Sequence, residues 1–204
     1  MSIRIRNVLK ELMLYLVIFA SLFFVNIFVV DLVGVSGVSM EHTLKDGDQM
    51  LRWKLSSIER FDIVIFPSPT GAVDENNEIK LYIKRVIGMP GDSLEFKNDK
   101  LIINGVETDE PYLAEKLEEA SSHSGTLFTR NFTLEEKTGT TIIPEGKLFV
   151  MGDNRNRSVD SEEFGFVDIE KVTEARYIIF PLEHFGDLPQ YQLNDEGTIV
   201  EKKE

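Results

Sequence analysis

An unbroken apolar run near the N-terminus constrains this chain more than any other feature. Leu12 to Val30 carries no charged side chain, and only Ser21 and Asn26 interrupt its apolar character. Its 19 residues, at about 1.5 Å of rise each, form a helix long enough to cross the hydrocarbon core of a bilayer. A buried helix of a soluble protein would show a polar face, and the apolar stretch of a cleavable export signal is shorter. Gly34, Ser36 and Gly37 keep a cleavage-site-like pattern in view as the alternative. Arg4, Arg6 and Lys10 precede the run and Asp31 follows it. The positive-inside rule therefore predicts a cytoplasmic N-terminus over 1–11, a retained single-pass anchor over 12–34, and an extracellular remainder held at the cell membrane.

Beyond the anchor, continuous apolarity gives way to short alternating runs separated by Gly, Pro, Asn and Asp. That pattern predicts strands at Phe61–Phe66, Ile79–Gly88, Lys147–Met151 and Ala175–Phe180, with a hairpin at Asn104-Gly105. The expected fold class is mostly β, an antiparallel folded-over or barrel-like sheet behind one N-terminal transmembrane helix. The β domain is expected over 35–190, with 114–146 as an exposed polar insertion and 191–204 as a loosely held charged tail.

Charge and composition exclude several function classes. Asp and Glu number 35 against 22 Lys and Arg, for a net charge of −13, which disfavours nucleic acid as a partner. There are no cysteines and three histidines, so disulfide scaffolds, thiolate zinc sites and cysteine nucleophiles are absent, and no metal or cofactor is expected.

A serine becomes a useful nucleophile only when a base takes its proton. Gly37–Glu41 lacks the second glycine of the hydrolase elbow, and His42 lies too close in sequence to Ser39 to approach it from a productive side. His123 and His184 sit in polar or terminal segments. Lys84 is the more informative candidate, because a strand puts it on one face with Tyr82 and Val86. To serve as a base its amine must come down from about 10.4 to roughly 7–8, on the order of 4 kcal/mol of burial and neighbouring charge.

Four segments occur in order: SGVSMEHTL at Ser36–Leu44, FDIVIF, YIKRVIGMPGD at Tyr82–Asp92, and MGDNRNRSVDSEEFGFV at Met151–Val167. Together with the anchor and the Asn104-Gly105 hairpin followed by DEPYL, this combination resembles bacterial type I signal peptidase. The resemblance implies a serine endopeptidase that removes N-terminal signal peptides from exported preproteins after small residues in an Ala-X-Ala pattern. It assigns Ser39 as nucleophile, Lys84 as general base, and Ser158 as the hydroxyl that orients the lysine amine. It implies that the Ser39 backbone N–H contributes to the oxyanion hole. The second donor position is Gly37, where some relatives place a serine; a backbone N–H or Ser36 are the substitutes. Asp153, Asn154, Arg155 and Asp160 match a supporting turn, and Val35, Tyr82 and Ile83 match the substrate cleft. The implied partners are signal peptides and the lipid bilayer, with a monomer expected and an extended substrate adding as a strand beside Phe61–Phe66 or the lysine strand.

Two positions depart from the family pattern. His42 stands where proline is usual, and Glu162 where an arginine normally pairs with the acid two residues earlier. The expectation is that Arg85, Arg155 or Arg157 rebuilds the missing partner of Asp160. Two rival readings share parts of the resemblance. Signal-peptidase-like assembly factors for surface pili lack the catalytic Ser or Lys, whereas this chain has both. Self-cleaving repressors of the Ser-Lys type carry a DNA-reading domain, which is missing here.

Overall fold

The structure, a computed structural model, describes residues 3–54, 57–121, 127–180, 186–194 and 198–202. His123 and His184 lie outside the described residues. The N-terminal helix α1 (Ile3–Phe28) contains the window Arg6–Val25, with a mean hydropathy of 2.1 and no coverage by the rest of the protein. It ends earlier than expected. Val30–Gly34, anticipated within the anchor, is the strand β1. It pairs antiparallel with β2 (Gln49–Trp53) along its whole length, from Val30 opposite Trp53 to Gly34 opposite Gln49. Backbone pairing and an ion pair from Asp31 to Arg52 make this segment sheet rather than helix.

The central strands β3 (Ile63–Pro67) and β4 (Leu81–Gly88) follow. Ile63 through Phe66 are all buried, as expected of a strand packed on both faces, and both backbone edges of β3 are occupied. A smaller antiparallel sheet comes next, made by β5 (Leu94–Lys97), β6 (Lys100–Ile103) and β7 (Val106–Thr108). Asn104 and Gly105 both take positive φ between β6 and β7, as the hairpin signal requires.

After α2 (Ala114–Ser121), β8 (Phe132–Thr133) joins the small sheet beside β5, and α3 (Leu134–Thr138) starts with a Thr133–Glu136 capping box. The polar-insertion expectation for 114–146 is therefore corrected in its second half. Phe128, Phe132, Leu134 and Ile143 are buried, and the last three, widely spaced apolar residues in a polar stretch, plug one core.

The chain returns through β9 (Lys147–Met151), α4 (Ser161–Phe164), β10 (Val167–Asp168), β11 (Thr173–Phe180) and β12 (Gly186–Asp187). The large sheet runs β1-β2-β11-β3-β4-β9-β10, with β12 added to β11, and its neighbours pair antiparallel. This curled antiparallel sheet behind one apolar helix agrees with the mostly β expectation.

The last segment is not a loose tail. Strands β13 (Tyr191–Leu193) and β14 (Ile199–Glu201) form a hairpin. Ile199 is buried in the core with Phe61, Phe96 and Phe149, and Lys202 pairs with Glu59 at 2.6 Å. Alternating apolar residues between charges were enough to fold the segment back.

Candidate active site

Ser39 sits on a loop fastened on both sides. Met40 and Leu44 are buried one turn apart, with the Leu44 N–H donating to the Met40 carbonyl at 2.9 Å, so the chain dives into the core just after the serine. Across the loop, the Asn154 side-chain amide donates to the Val38 carbonyl and the Asn154 N–H to the Ser39 carbonyl, each at 3.0 Å. Ser39 thus keeps its hydroxyl outside the core while its backbone is pinned from behind.

Lys84 reaches this hydroxyl from β4. Its Nζ donates to Ser39 Oγ at 2.9 Å, and the residue is 4% exposed. The strand face holds Tyr82 beside it, with Nζ 5.6 Å from the ring centroid. Among the described residues no carboxylate lies within ion-pair distance of the amine. Burial brings the Lys84 pKa down to about 8, against an opposing pull from the charges of Asp160 and Asp153.

The segment after β9 forms the base of the site. Arg85 is fully buried and donates to both oxygens of Asp153, at 2.9 and 2.6 Å, and to the Phe61 carbonyl at 2.8 Å. Thr43 also donates to Asp153, tying the serine loop to the same carboxylate. Arg155 forms a buried pair with Glu110, bonds Thr129, and returns to the Gly152 carbonyl at 3.1 Å. At Gly152 there is no room for a side chain, since a Cβ would collide with Ser158 Oγ and the Ser39 carbonyl oxygen.

Three expectations require correction. Ser158 does not bond Lys84; its Oγ is buried against Gly152 without a hydrogen-bond partner, while the amine is taken by Ser39. The Gly37 N–H does not face the serine as a free donor, because it donates to Asp46 Oδ1 at 2.7 Å from a backbone with φ of 97°. Among the described residues, no arginine replaces the missing partner of Asp160. Arg85 and Arg155 are committed to Asp153 and Glu110, and Arg157 is exposed at the groove. Asp160 instead caps α4, accepting from the Glu162 N–H at 3.1 Å, and burial raises its pKa to about 6. Glu162 turns to Lys137 of α3 at 3.3 Å, so the charge change is met by a neighbouring helix.

A groove of about 1250 Å³ runs past the two residues, and Ser39, Lys84, Val35, Tyr82 and Ile83 all line it. Val35 and Ile83 also belong to one core cluster, so they form a floor with little depth. The edge of β4 over Leu81–Lys84 is open on the side away from β3, because β9 pairs only from Arg85 onward. β1, also at the groove, is an end strand. Strand addition beside Phe61–Phe66 is ruled out by the pairing of β3 on both sides.

Thr43, Asp46, Glu110, Lys137 and Tyr191 contribute without having been marked by the sequence. Tyr191 covers Arg85 from the C-terminal hairpin, its ring centroid 5.7 Å from the guanidinium carbon, with Tyr112 at 4.0 Å. Glu110 lies in the DEPYL run and Thr43 in the serine segment, which carried signal as segments; Asp46, Lys137 and Tyr191 are single residues that no motif marked.

The curled sheet and its groove are those of a β-fold peptidase. The chain belongs to the signal peptidase family, peptidase S26, whose sequence profile matches residues 5–180. It is 42% identical over 157 residues to signal peptidase I of Bacillus caldolyticus, covering 74% of this chain and 80% of that one. It is 33% identical over 202 residues to signal peptidase IB of Staphylococcus aureus, covering 95% and 98%. The crystal structure of a signal peptidase I from Enterococcus faecalis superimposes with a TM-score of 0.52 at 42% identity, over 59% of this chain and 97% of that one.

Proposed function

We propose that this protein is a membrane-anchored signal peptidase in which Ser39 and Lys84 form the catalytic dyad. The observation that carries the reading is the 2.9 Å contact between a serine hydroxyl and a buried lysine amine at the floor of an open groove. With the amine neutral, the contact reverses direction: the Ser39 O–H donates to Nζ, and Oγ attacks the scissile carbonyl as the proton moves to the lysine. The same ammonium then protonates the leaving amine. Water activated by the regenerated amine hydrolyses the acyl-enzyme.

The Ser39 N–H has no internal partner among the described residues and is the donor assigned to the oxyanion. The substrate is an exported preprotein whose cleavage region lies extended in the groove, gaining main-chain hydrogen bonds from the open edges of β1 and of β4 over Leu81–Lys84. The shallow floor at Val35 and Ile83, flanked by Tyr82, favours small side chains before the scissile bond. The anchor helix α1 places enzyme and substrate in the same membrane, with the N-terminus cytoplasmic and the sheet outside.

The test is cleavage of a preprotein in liposomes by wild type, Ser39→Ala and Lys84→Ala. Both variants are expected to lose processing while remaining folded. Undiminished cleavage by either one rejects the dyad, and a folded wild type inactive on preproteins favours the non-catalytic assembly role.

A further inference from the structure

No linker separates the anchor helix from the groove. Val29 alone lies between α1 and β1. Its N–H donates to the Val25 carbonyl at 2.8 Å, completing the helix, and its carbonyl accepts from the Lys54 N–H at 2.9 Å, starting the sheet. One residue therefore belongs to both elements.

The junction is held further by charge. Asp31 accepts two hydrogen bonds from Arg52 and has the Lys54 ammonium at 3.2 Å. Trp53, the only tryptophan in the chain, stands opposite Val30, where the helix gives way to the sheet. An indole and basic side chains are the groups that settle at a membrane–water interface. An isolated surface ion pair contributes little stability. Its position here, where the chain changes from helix to strand, gives it a geometric consequence instead.

From this point β1 rises to the groove, whose wall includes Leu32, Val33, Gly34 and Val35. At about 3.4 Å per residue, Val30 to Gly34 spans about 14 Å along the strand, which is the upper limit of the climb it provides. Every residue of that climb is in register with β2, and β2 is in register with β11. The height of the groove above the end of the helix is consequently set by the sheet and is not adjustable by a flexible tether.

We infer that the Val29–Asp31 junction, clamped by Arg52 and Lys54, is a fixed spacer that selects which peptide bond of a membrane-inserted precursor reaches Ser39. The inference rests on the proposed function. A precursor carries its own apolar helix in the bilayer, and the extended chain leaving that helix must climb the same height to enter the groove. A rigid junction admits a narrow range of distances between the apolar segment and the cleaved bond, whereas a flexible linker would admit many.

The experiment uses the full-length protein in liposomes and a precursor series that differs only in the number of residues between apolar segment and cleavage site. A short soluble peptide with the same cleavage site is the control. Wild type is compared with a Gly-Ser-Gly-Ser insertion after Val29 and with Asp31→Ala, neither of which alters a groove residue. Wild type is expected to show one sharp optimum of spacing. The insertion, itself a flexible linker, should broaden the optimum and extend it to longer spacers, and lower the rate at the original optimum by about tenfold, since small displacements at the reacting atoms cost rate steeply. Asp31→Ala should broaden the optimum. Peptide cleavage should stay within about twofold in all three proteins, because reaction of a soluble peptide does not depend on the height of the groove. An unchanged spacing profile in both variants overturns the inference, as does a parallel loss on peptide and precursor. A wild type that cleaves neither substrate overturns the functional reading itself.

Discussion

Lys84 and Arg85 are consecutive in β4, yet the strand sends their side chains to opposite faces and opposite electrostatic fates. Lys84 meets a neutral hydroxyl at 2.9 Å, whereas Arg85 meets both oxygens of Asp153. The guanidinium stays charged under all accessible conditions, so it can hold the buried carboxylate without ambiguity. A carboxylate in direct contact with Lys84 would instead fix the amine as ammonium and remove it as a base. The site keeps its permanent ion pair one residue away from its titrating group.

The pH profile should follow from this separation. With burial bringing the amine to about 8, kcat/KM on a peptide should rise with pH and reach half its plateau near that value. Asp160 exerts the largest charge effect opposing burial, since its negative charge favours the ammonium. Asp160→Asn is expected to shift the ascending limb to lower pH while leaving an oxygen to cap α4. A limb that stays in place or moves to higher pH would separate Asp160 from the amine.

Burial of Lys84 also predicts a stability cost with a definite sign. The folded-state pKa of about 8 lies below the ordinary 10.5, so between the two values the unfolded chain binds more protons and stability rises with pH. Below about 8 the full penalty is present, on the order of 3 kcal/mol at neutral pH. Lys84→Met should stabilise the detergent-solubilised protein by up to about that amount at pH 7, with the gain shrinking above pH about 8 and largely gone by pH about 10.5. Unfolding measured at the two ends of this range checks the sign; a gain independent of pH would mean that packing, not charge, is responsible.

Gly152 is required for space rather than for backbone freedom. A methyl group there meets Ser158 and the Ser39 carbonyl, and relief demands movement of the serine loop. Gly152→Ala is expected to cost about 1–3 kcal/mol of stability and to lower kcat more than it raises KM. Steady-state kinetics beside thermal unfolding tests both parts.

The buried Arg155–Glu110 pair should be costly to break from one side. Glu110→Ala leaves a buried guanidinium with its Thr129 and Gly152 hydrogen bonds and the Phe96 ring but no counter-charge from Glu110, for an expected loss of about 3–5 kcal/mol. Arg155→Met combined with Glu110→Leu should recover most of it. Chemical denaturation of the single and double variants provides the check.

Several strands were legible because their patterns are local. Lys147–Met151 falls on β9, Phe61–Phe66 overlaps β3 almost throughout, and Asn104-Gly105 supplies the positive φ pair of its hairpin. The serine and the lysine were marked by the company they keep in sequence, and the fold brings them together across 45 positions. The C-terminal hairpin was not legible. Tyr191, Leu193 and Ile199 look like isolated apolar residues among charges until the core around Phe61 and Tyr112 gives them something to cover.

The sequence by itself determined what short-range chemistry can encode: an apolar span long enough for a bilayer, alternating strands, and the residue types needed for serine attack. Only the tertiary structure decided the electrostatic partners. Asp153 went to Arg85, Glu110 to Arg155, Glu162 to Lys137, and Asp160 was left to cap a helix. It also assigned the Gly37 N–H to Asp46 and left Ser158 apart from the lysine. The physical reason is that hydropathy and turn preferences act over a few residues, whereas pairing and burial depend on which distant segments arrive within a few ångströms of each other.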